Sequence, residues 1–323
     1  MELKRTLAGV FGPQPHRLRN VAMVFLTVIY ALCYVAIKVG LPFEPPLRFA
    51  GFRALVAGLV VLGLVAAVKR PLVPRWGQWR WVFGLGLTTT TMAFAAMFLS
   101  PGRTGAGIAS VLGNTQPIMA VTLAVPLLGE RLTRGKQIAL VLGTLGVVLI
   151  ALPAIAGPGA YGVSGPALAL AASLSLAIGS VIAKRMGGEV DLLAVTAWQL
   201  IVGSLPLLVA SALAEHGAWI DPDPRFLGLL AFLAIAGTAL PTPLWYWLLQ
   251  RDEVGRLSLF LFLVPVLGLL IAAVVFGERV GALEMVGIVA TVVGIAVAAR
   301  TGTAEQVLPP VGHAIPLPGR SEP

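Results

Sequence analysis

Long runs of apolar residues, separated by short polar stretches, cover most of the chain. A helix needs roughly 20 apolar residues to cross the hydrocarbon core of a bilayer, and ten runs approach that length. The ten runs lie at about 21–37, 49–68, 81–99, 106–128, 135–154, 166–183, 193–213, 226–248, 255–276 and 282–299. The pattern therefore predicts an all-α integral membrane protein of ten transmembrane helices with short connections.

The composition agrees with this pattern and excludes an ordinary soluble domain. Hydrophobic residues make up 58% of the chain, charged residues only 11%, and the mean hydropathy is +0.92, whereas about a quarter of the residues of a soluble domain are charged. A basic N-terminal arm, residues 1–20, and a tail, residues 301–323, lie outside the apolar runs. The tail contains several Pro and Gly residues and is expected to be disordered.

The distribution of basic residues explains the net charge of +9 without a nucleic-acid partner. When both termini are placed in the cytoplasm, seventeen of the 23 Lys and Arg residues fall on the cytoplasmic side and four fall outside. The other two, Lys38 and Arg53, belong to the membrane segments. Because short cytoplasmic loops of membrane proteins are enriched in Lys and Arg, the sequence predicts a cytoplasmic arm, a cytoplasmic tail and membrane lipid as the surroundings.

The chain contains an internal repeat. A Gly-Glu-Arg triplet with Glu130 at its centre returns around Glu278, an offset of 148 residues, and nearer the start of each half an offset of 146 places Arg53 over Gln199. The two predicted repeats are residues 21–154 and 155–300, with five helices each. Because five is odd, the second repeat enters the membrane in the opposite orientation, an arrangement that recurs in secondary transporters with a site at the membrane midplane.

The repeated triplet allows two interpretations of its charged residues. It places Glu130 and Arg131 at the cytoplasmic side and Glu278 and Arg279 at the outer side. These residues either form a tight, solvated turn between two helices or take part in a salt bridge that gates the transport path. Both interpretations are kept open at this point.

The duplicated pattern of a mid-helix proline, a Gly-Glu pair at the helix end and a following Gly-containing helix resembles the EamA domain of the drug/metabolite transporter superfamily. The pattern is carried by NTQPIMAVTLAVPLLGERLTRGKQIALVLGTLGVVLI and by LVPVLGLLIAAVVFGERVGALEMVGIVATVVGIAV. The resemblance covers about residues 21–300. It implies ten helices, both termini in the cytoplasm, and export or exchange of small metabolites across the bacterial cell inner membrane. The first helix departs from the family pattern, with Cys33-Tyr34 where Trp-Gly is common.

The prolines of the fourth and ninth predicted helices, Pro117 and Pro265, lie mid-helix and leave a backbone carbonyl without its intrahelical donor. Either they produce a packing kink or they help to form a cavity. The cavity is favoured by three consecutive polar residues before the first proline, Asn114, Thr115 and Gln116. Their counterparts in the second repeat are apolar, so the fold itself does not require polar residues here.

Further candidates for the substrate cavity lie at a similar depth. The run Thr88–Thr91 lies midway along the third predicted helix, and Thr238 in the eighth is the repeat partner of Thr90. Trp245 and Tyr246 follow in the eighth predicted helix. The aromatic residues are also typical of an interfacial belt. Arg53 either snorkels to the outer interface or contacts a carbonyl, or it binds an anionic group of the substrate.

The function that these features predict is a secondary carrier, and not an enzyme. Its substrate would be a small metabolite, an amino acid or related amphipathic solute, which the resemblance implies is exported. A membrane channel or facilitator is the first alternative, and a membrane-embedded enzyme is the second. His16, His216 and His313 lie in the arm, a loop and the tail, so no catalytic site, metal site or cofactor is predicted. The oligomeric state, monomer or homodimer, stays open.

Overall fold

A computed structural model describes residues 16–100, 103, 112–155, 163–187, 190–215, 223–276 and 280–304. In the first half the helices are α1 His16–Gly40, α2 Pro46–Ala67, α3 Trp76–Leu99, α4 Gln116–Leu128 and α5 Arg134–Ile155. In the second half α6 is Ser164–Arg185, α7 is Leu192–Ala214 and α8 is Pro224–Arg251. Helix α9 runs through Val254–Leu259, Phe260–Phe262 and Leu263–Phe276, and α10 is Ala282–Ala304.

The described residues form helices and connections and contain no strand. Nine helices within these ranges are long and apolar enough to cross a membrane, and α4 is a shorter apolar helix. Large apolar side chains such as Leu59, Leu145 and Val289 are exposed along them, as a lipid environment requires. The expected all-α membrane architecture is therefore present. The fourth predicted span, 106–128, is described only from residue 112, so ten spans stay a prediction.

The most extensive helix pairs are α2 with α7 and α5 with α10. Glycines allow their backbones to touch. A Cβ atom on Gly146 of α5 would lie 2.6 Å from the carbonyl oxygen of Gly287 on α10, and one on Gly58 of α2 would lie 3.0 Å from the carbonyl oxygen of Ala197 on α7. Small residues at crossings are the usual means by which membrane helices associate, because no hydrophobic effect drives the contact within lipid.

Three helices depart from regular α-helical geometry near their middles. Helix α3 contains a π-helical segment at Gly86–Met92, α8 contains one at Ile235–Ala239, and α9 tightens to a 3-10 turn at Phe260–Phe262. In α3 the hydroxyls of Thr88 and Thr89 donate to the carbonyls of Gly84 and Leu85. Such segments turn side chains away from their regular positions and often occur at functional sites. All three helices line the same cavity.

Candidate functional site

A cavity of about 150 Å³ lies inside the helix bundle. Its described lining comes from helices α1 to α3, the start of α4 and helices α6 to α9, while α5 and α10 contribute none of it. Eight residues predicted for the substrate cavity line it: Arg53, Thr90, Asn114, Gln116, Pro117, Thr238, Trp245 and Tyr246. Thr115 and Pro265 are not among the lining residues, although both are adjacent in sequence to residues that are.

Arg53 of α2 is held deep in the cavity wall. Its side chain is only 4% exposed. The Nε atom donates to the Thr238 hydroxyl at 2.9 Å, one terminal nitrogen donates to the Gly237 carbonyl at 3.2 Å, and the guanidinium carbon lies 4.8 Å from the centre of the Phe94 ring. The buried guanidinium thus contacts a carbonyl, one of the three predicted roles, and is not exposed as a snorkelling side chain would be. Its position on the lining also leaves contact with a solute possible.

Gly237 makes the close approach of these side chains possible. A Cβ atom at this position would lie 2.5 Å from the sulfur of Cys33 and 3.7 Å from a terminal nitrogen of Arg53. Even a methyl group at 237 would therefore push Cys33 of α1 away from α8, while it would only touch Arg53 of α2. The absence of a side chain keeps three helices in contact on one side of the cavity.

Gln199 of α7, which aligns with Arg53 in the internal repeat, also lines the cavity. Its side chain is fully buried, and its Oε1 atom accepts hydrogen bonds from the hydroxyls of Thr90 at 2.7 Å and Thr89 at 3.3 Å. Its Nε2 atom has no acceptor among the described residues. Because a buried donor without a partner costs free energy, a solute oxygen in the cavity would be a favourable acceptor.

Gln199, Tyr30 and Thr242 are lining residues that were not among the predicted site residues. For Gln199 the signal was present in the repeat, since Gln199 aligns with Arg53. Thr89 donates to or accepts from the Tyr246 hydroxyl at 3.1 Å. Thr89 belongs to the predicted run Thr88–Thr91 and lies in the π-helical segment of α3.

The backbone carbonyls just before α4 accept hydrogen bonds from a neighbouring helix. The hydroxyl of Ser173, on α6, lies 2.9 Å from the carbonyl oxygens of both Leu112 and Gly113. Gly113 is the residue whose carbonyl Pro117 deprives of its usual donor. The Thr115 hydroxyl also donates locally, to the carbonyl of Leu112 at 2.6 Å, which explains why it does not serve the cavity. Asn114 is buried and lines it.

At one end of the bundle, polar residues converge on the connection between α8 and α9. We call this set the Asp252 cluster: Arg19, Asn20, Glu130, Lys136, Lys184, Asp252, Glu253 and Arg256. The carboxylate of Asp252 lies 2.8 Å from a guanidinium nitrogen of Arg256 and 3.4 Å from one of Arg19. Arg256 also donates to the Asn20 side chain at 3.1 Å. Lys184 donates to the backbone carbonyl of Asp252 at 2.7 Å.

Glu130 joins this cluster from the end of α4. Its two carboxylate oxygens accept from the backbone N–H groups of Val254 at 2.6 Å and Gly255 at 2.9 Å, so it caps the N-terminus of α9. Burial raises the pKa of the Glu130 carboxyl above its ordinary value, although the two N–H groups lower it in part. Beside it, Lys136 forms a 2.8 Å salt bridge with Glu253.

The Gly-Glu-Arg triplet combines a turn with a contact between helices. Gly129 adopts a positive φ of 69° and ends α4, a conformation that favours glycine. Arg131 has an exposed side chain, and its carbonyl accepts from Lys136 at 2.8 Å. Glu278 and Arg279, the second copies of the charged residues, lie outside the described residues.

The EamA-like transporter family matches residues 18–152 and 163–300 of the chain. An uncharacterized transporter of Synechocystis is 30% identical over 281 residues, which cover 83% of this chain and 85% of that protein. A probable amino-acid metabolite efflux pump of Salmonella typhimurium is 30% identical over 281 residues, 84% of this chain and 91% of that protein. A protein of the same description from Escherichia coli is 30% identical over 286 residues.

A solved crystal structure shares the fold. It superposes with a TM-score of 0.75 at 20% sequence identity, over 90% of this chain and 98% of the other. At that identity the likeness concerns the arrangement of the helices alone.

Proposed function

The chain belongs to the EamA-like transporter family, and from this premise we propose that it is a secondary carrier of amino acids or related amphipathic metabolites in a bacterial inner membrane. The observation that carries the proposal is a single cavity in which Arg53 and Gln199, equivalent residues of the two repeats, both line the wall. Relatives named as transporters and efflux pumps support transport over catalysis. Export is the proposed direction because of those efflux pumps.

Two inverted repeats, residues 21–154 and 155–300, are part of the proposal. Arg53 of α2 bonds Thr238 of α8, and Gln199 of α7 bonds Thr90 of α3. Arg53 aligns with Gln199 at the offset of 146, and Thr90 aligns with Thr238 at the offset of 148. The two contacts are therefore equivalent, with the helices of the two halves exchanged. The π-helical segments of α3 and α8 also fall at equivalent positions. A twofold relation between the halves accounts for all of these pairs.

Alternating access follows from that relation. When two inverted halves exchange conformations, a cavity between them that is open to one side of the membrane becomes open to the other. In the proposed topology, with both termini in the cytoplasm, the Asp252 cluster lies at the cytoplasmic end. Its contacts join α1, α4, α5 and α6 to the connection between α8 and α9 at that end of the bundle.

The proposed solute class follows from the chemistry of the cavity wall. No Asp or Glu occurs among the described lining residues, and the wall supplies donors from Arg53 and Gln199 beside the rings of Phe94 and Trp245. A bare cation would lose its hydration without a compensating charge, which is very unfavourable. A neutral, zwitterionic or monoanionic solute with an apolar body fits this wall.

The test is counterflow in liposomes that contain the purified protein and are loaded with one unlabelled amino acid at a time. We expect external labelled leucine or phenylalanine to accumulate transiently, with saturable initial rates, because a carrier exchanges one bound solute for another. Protein-free liposomes are the control. Flux that does not saturate, or large unitary currents, would favour the channel alternative, and preference for polyamines would contradict the proposed solute class.

Replacing Asn114 or Gln116 with leucine is expected to lower the initial counterflow rate roughly two- to tenfold. Each change removes a neutral hydrogen-bonding group from the cavity wall, and such a bond contributes about 0.5–1.5 kcal/mol. Thr122→Val is the matched control, since the Thr122 hydroxyl lies on the exposed side of α4 and donates to the Ile118 carbonyl of its own helix. Unchanged rates in both leucine variants would mean that these side chains serve packing alone.

A further inference from the structure

Helices α4 and α9 are equivalent helices of the two repeats, and both reach the cavity. The start of α4 lines it with Gln116 and Pro117, and α9 lines it with Leu261 and Val264. Away from the cavity, the last residues of α4 meet the first residues of α9. Separation of the end of α4 from the start of α9 would therefore open a path from the cavity to this end of the bundle.

The Glu130 carboxylate joins these two helix ends. Both of its oxygens bind backbone N–H groups of α9, at Val254 and Gly255. Gly255 fits this contact closely, because a Cβ atom at 255 would lie 3.0 Å from a Glu130 oxygen and 3.5 Å from a methyl group of Val121 on α4. A side chain at 255 would therefore require the Glu130 carboxylate to shift by a few tenths of an ångström.

The rest of the Asp252 cluster holds the start of α9 from its other sides. Asp252 is bound to Arg19 of α1, and Glu253 is bound to Lys136 of α5. Lys184 of α6 contacts the same connection through the carbonyl of Asp252. Thus α1, α5 and α6 all contact the short connection before α9, and Glu130 adds the contact from α4.

The Glu130 contact is also suited to repeated opening. Burial opposes the charged form of a carboxylate, and it is the largest influence on the pKa of the Glu130 carboxyl, which is raised although the two backbone donors lower it. Part of the free energy of the two hydrogen bonds is thereby offset by lost hydration. A contact whose net contribution is small can break and form again in each transport cycle.

We propose that Glu130 is a latch that keeps the cavity closed toward the cytoplasm by holding the end of α4 to the start of α9. This inference rests on the proposed function, which supplies the orientation of the chain and the alternation between two open states. Release of the carboxylate from Val254 and Gly255 is then a required step of opening to the cytoplasm.

The chain's single cysteine provides a native reporter for this step. Cys33 lines the cavity and is only 4% exposed, so a membrane-impermeant thiol reagent reaches it only when the cavity opens. We expect Glu130→Ala to accelerate labelling of Cys33 from the cytoplasmic side, measured in inverted vesicles with the anionic reagent MTSES, by about tenfold or more. Tenfold corresponds to about 1.4 kcal/mol, less than a typical hydrogen bond to a charged group provides.

Glu130→Gln is the second variant, in case the alanine variant folds poorly. Its neutral amide retains the shape of the side chain with a weaker acceptor, and we expect a smaller acceleration of the same sign. Glu215→Ala is the matched control. The Glu215 carboxylate also accepts two backbone N–H bonds at a helix start, from Leu47 and Arg48 of α2, but it joins α7 to α2 at the opposite end of the bundle in the proposed topology.

Faster cytoplasmic labelling in both Glu130 variants, with an unchanged rate in Glu215→Ala, supports the latch. No acceleration in either Glu130 variant, or equal acceleration in Glu215→Ala, overturns it. Counterflow of leucine by the unsubstituted chain is measured in parallel. Missing counterflow there contradicts the carrier function, whereas unaltered labelling beside intact counterflow contradicts the latch alone.

Discussion

Replacing Arg53 with leucine is expected to reduce amino-acid counterflow by about 100-fold or more. The guanidinium bonds Thr238 and the Gly237 carbonyl of α8 and stacks on Phe94, and in the proposed function it also faces the solute. Hydrogen bonds to charged groups contribute about 1.5–3 kcal/mol each, so the loss of two such bonds corresponds to a factor of 100 or more. Initial counterflow rates over a range of solute concentrations measure the effect.

The lysine variant separates the charge of Arg53 from its geometry. Arg53→Lys keeps a positive charge but cannot reproduce the planar arrangement that bonds two acceptors at once, and we expect its rate to lie between those of the leucine variant and the unsubstituted chain. Arg70→Leu is the control, because Arg70 forms a half-exposed salt bridge with Asp191, and exposed pairs of this kind contribute little. A leucine variant at 53 with an unaltered rate would refute the role of the cavity arginine.

The helices could be predicted from the sequence because a chain segment inside a bilayer has few ways to satisfy its backbone hydrogen bonds. In hydrocarbon, a chain segment must satisfy its backbone hydrogen bonds internally, so a long apolar run is sufficient evidence for a helix. The consequence of Pro117 was equally predictable, since proline removes a known donor. What the pattern did not predict is the identity of the replacement donor, Ser173, which lies 60 residues away in sequence.

The cavity was predictable where polar residues interrupt an apolar run, as at Asn114 and Gln116. Thr89 belongs to the candidate run Thr88–Thr91, but hydropathy could not indicate that Thr89 and Thr90 are the members of this run that line the cavity. Gln199 was missed although its repeat partner, Arg53, was identified. A polar residue in one repeat should therefore direct attention to the aligned position in the other, whatever its charge.

The hydrogen-bond donors that bind Glu130 could not be predicted from the sequence. Its acceptor oxygens bind backbone N–H groups, which every helix start offers, so the sequence contains no complementary residue to find. The two interpretations of the Gly-Glu-Arg triplet, a gating salt bridge and a solvated turn, each describe its first copy incompletely. Gly129 makes the turn, while Glu130 reaches across to α9.

The alternation of the two states can be tested most directly by preventing it. Val121 of α4 and Gly255 of α9 are close enough for a disulfide bridge. A Cβ atom at 255 would lie 4.0 Å from the Cα atom of Val121, so the two Cα atoms are at most about 5.5 Å apart, below the upper limit of about 6.8 Å in natural disulfides. The pair Val121→Cys and Gly255→Cys would be introduced with Cys33→Ala, so that no third thiol competes. The bridge would replace the Glu130 contact with a covalent bond.

The decisive measurement is leucine counterflow by this variant before oxidation, after oxidation and after reduction with dithiothreitol. Each single-cysteine variant receives the same treatment, and mass spectrometry gives the fraction of bridged protein. We predict that the bridged protein carries leucine no faster than protein-free liposomes, and that reduction restores the rate seen before oxidation. Counterflow that continues at its reduced-state rate in fully bridged protein would contradict alternating access through the separation of α4 and α9.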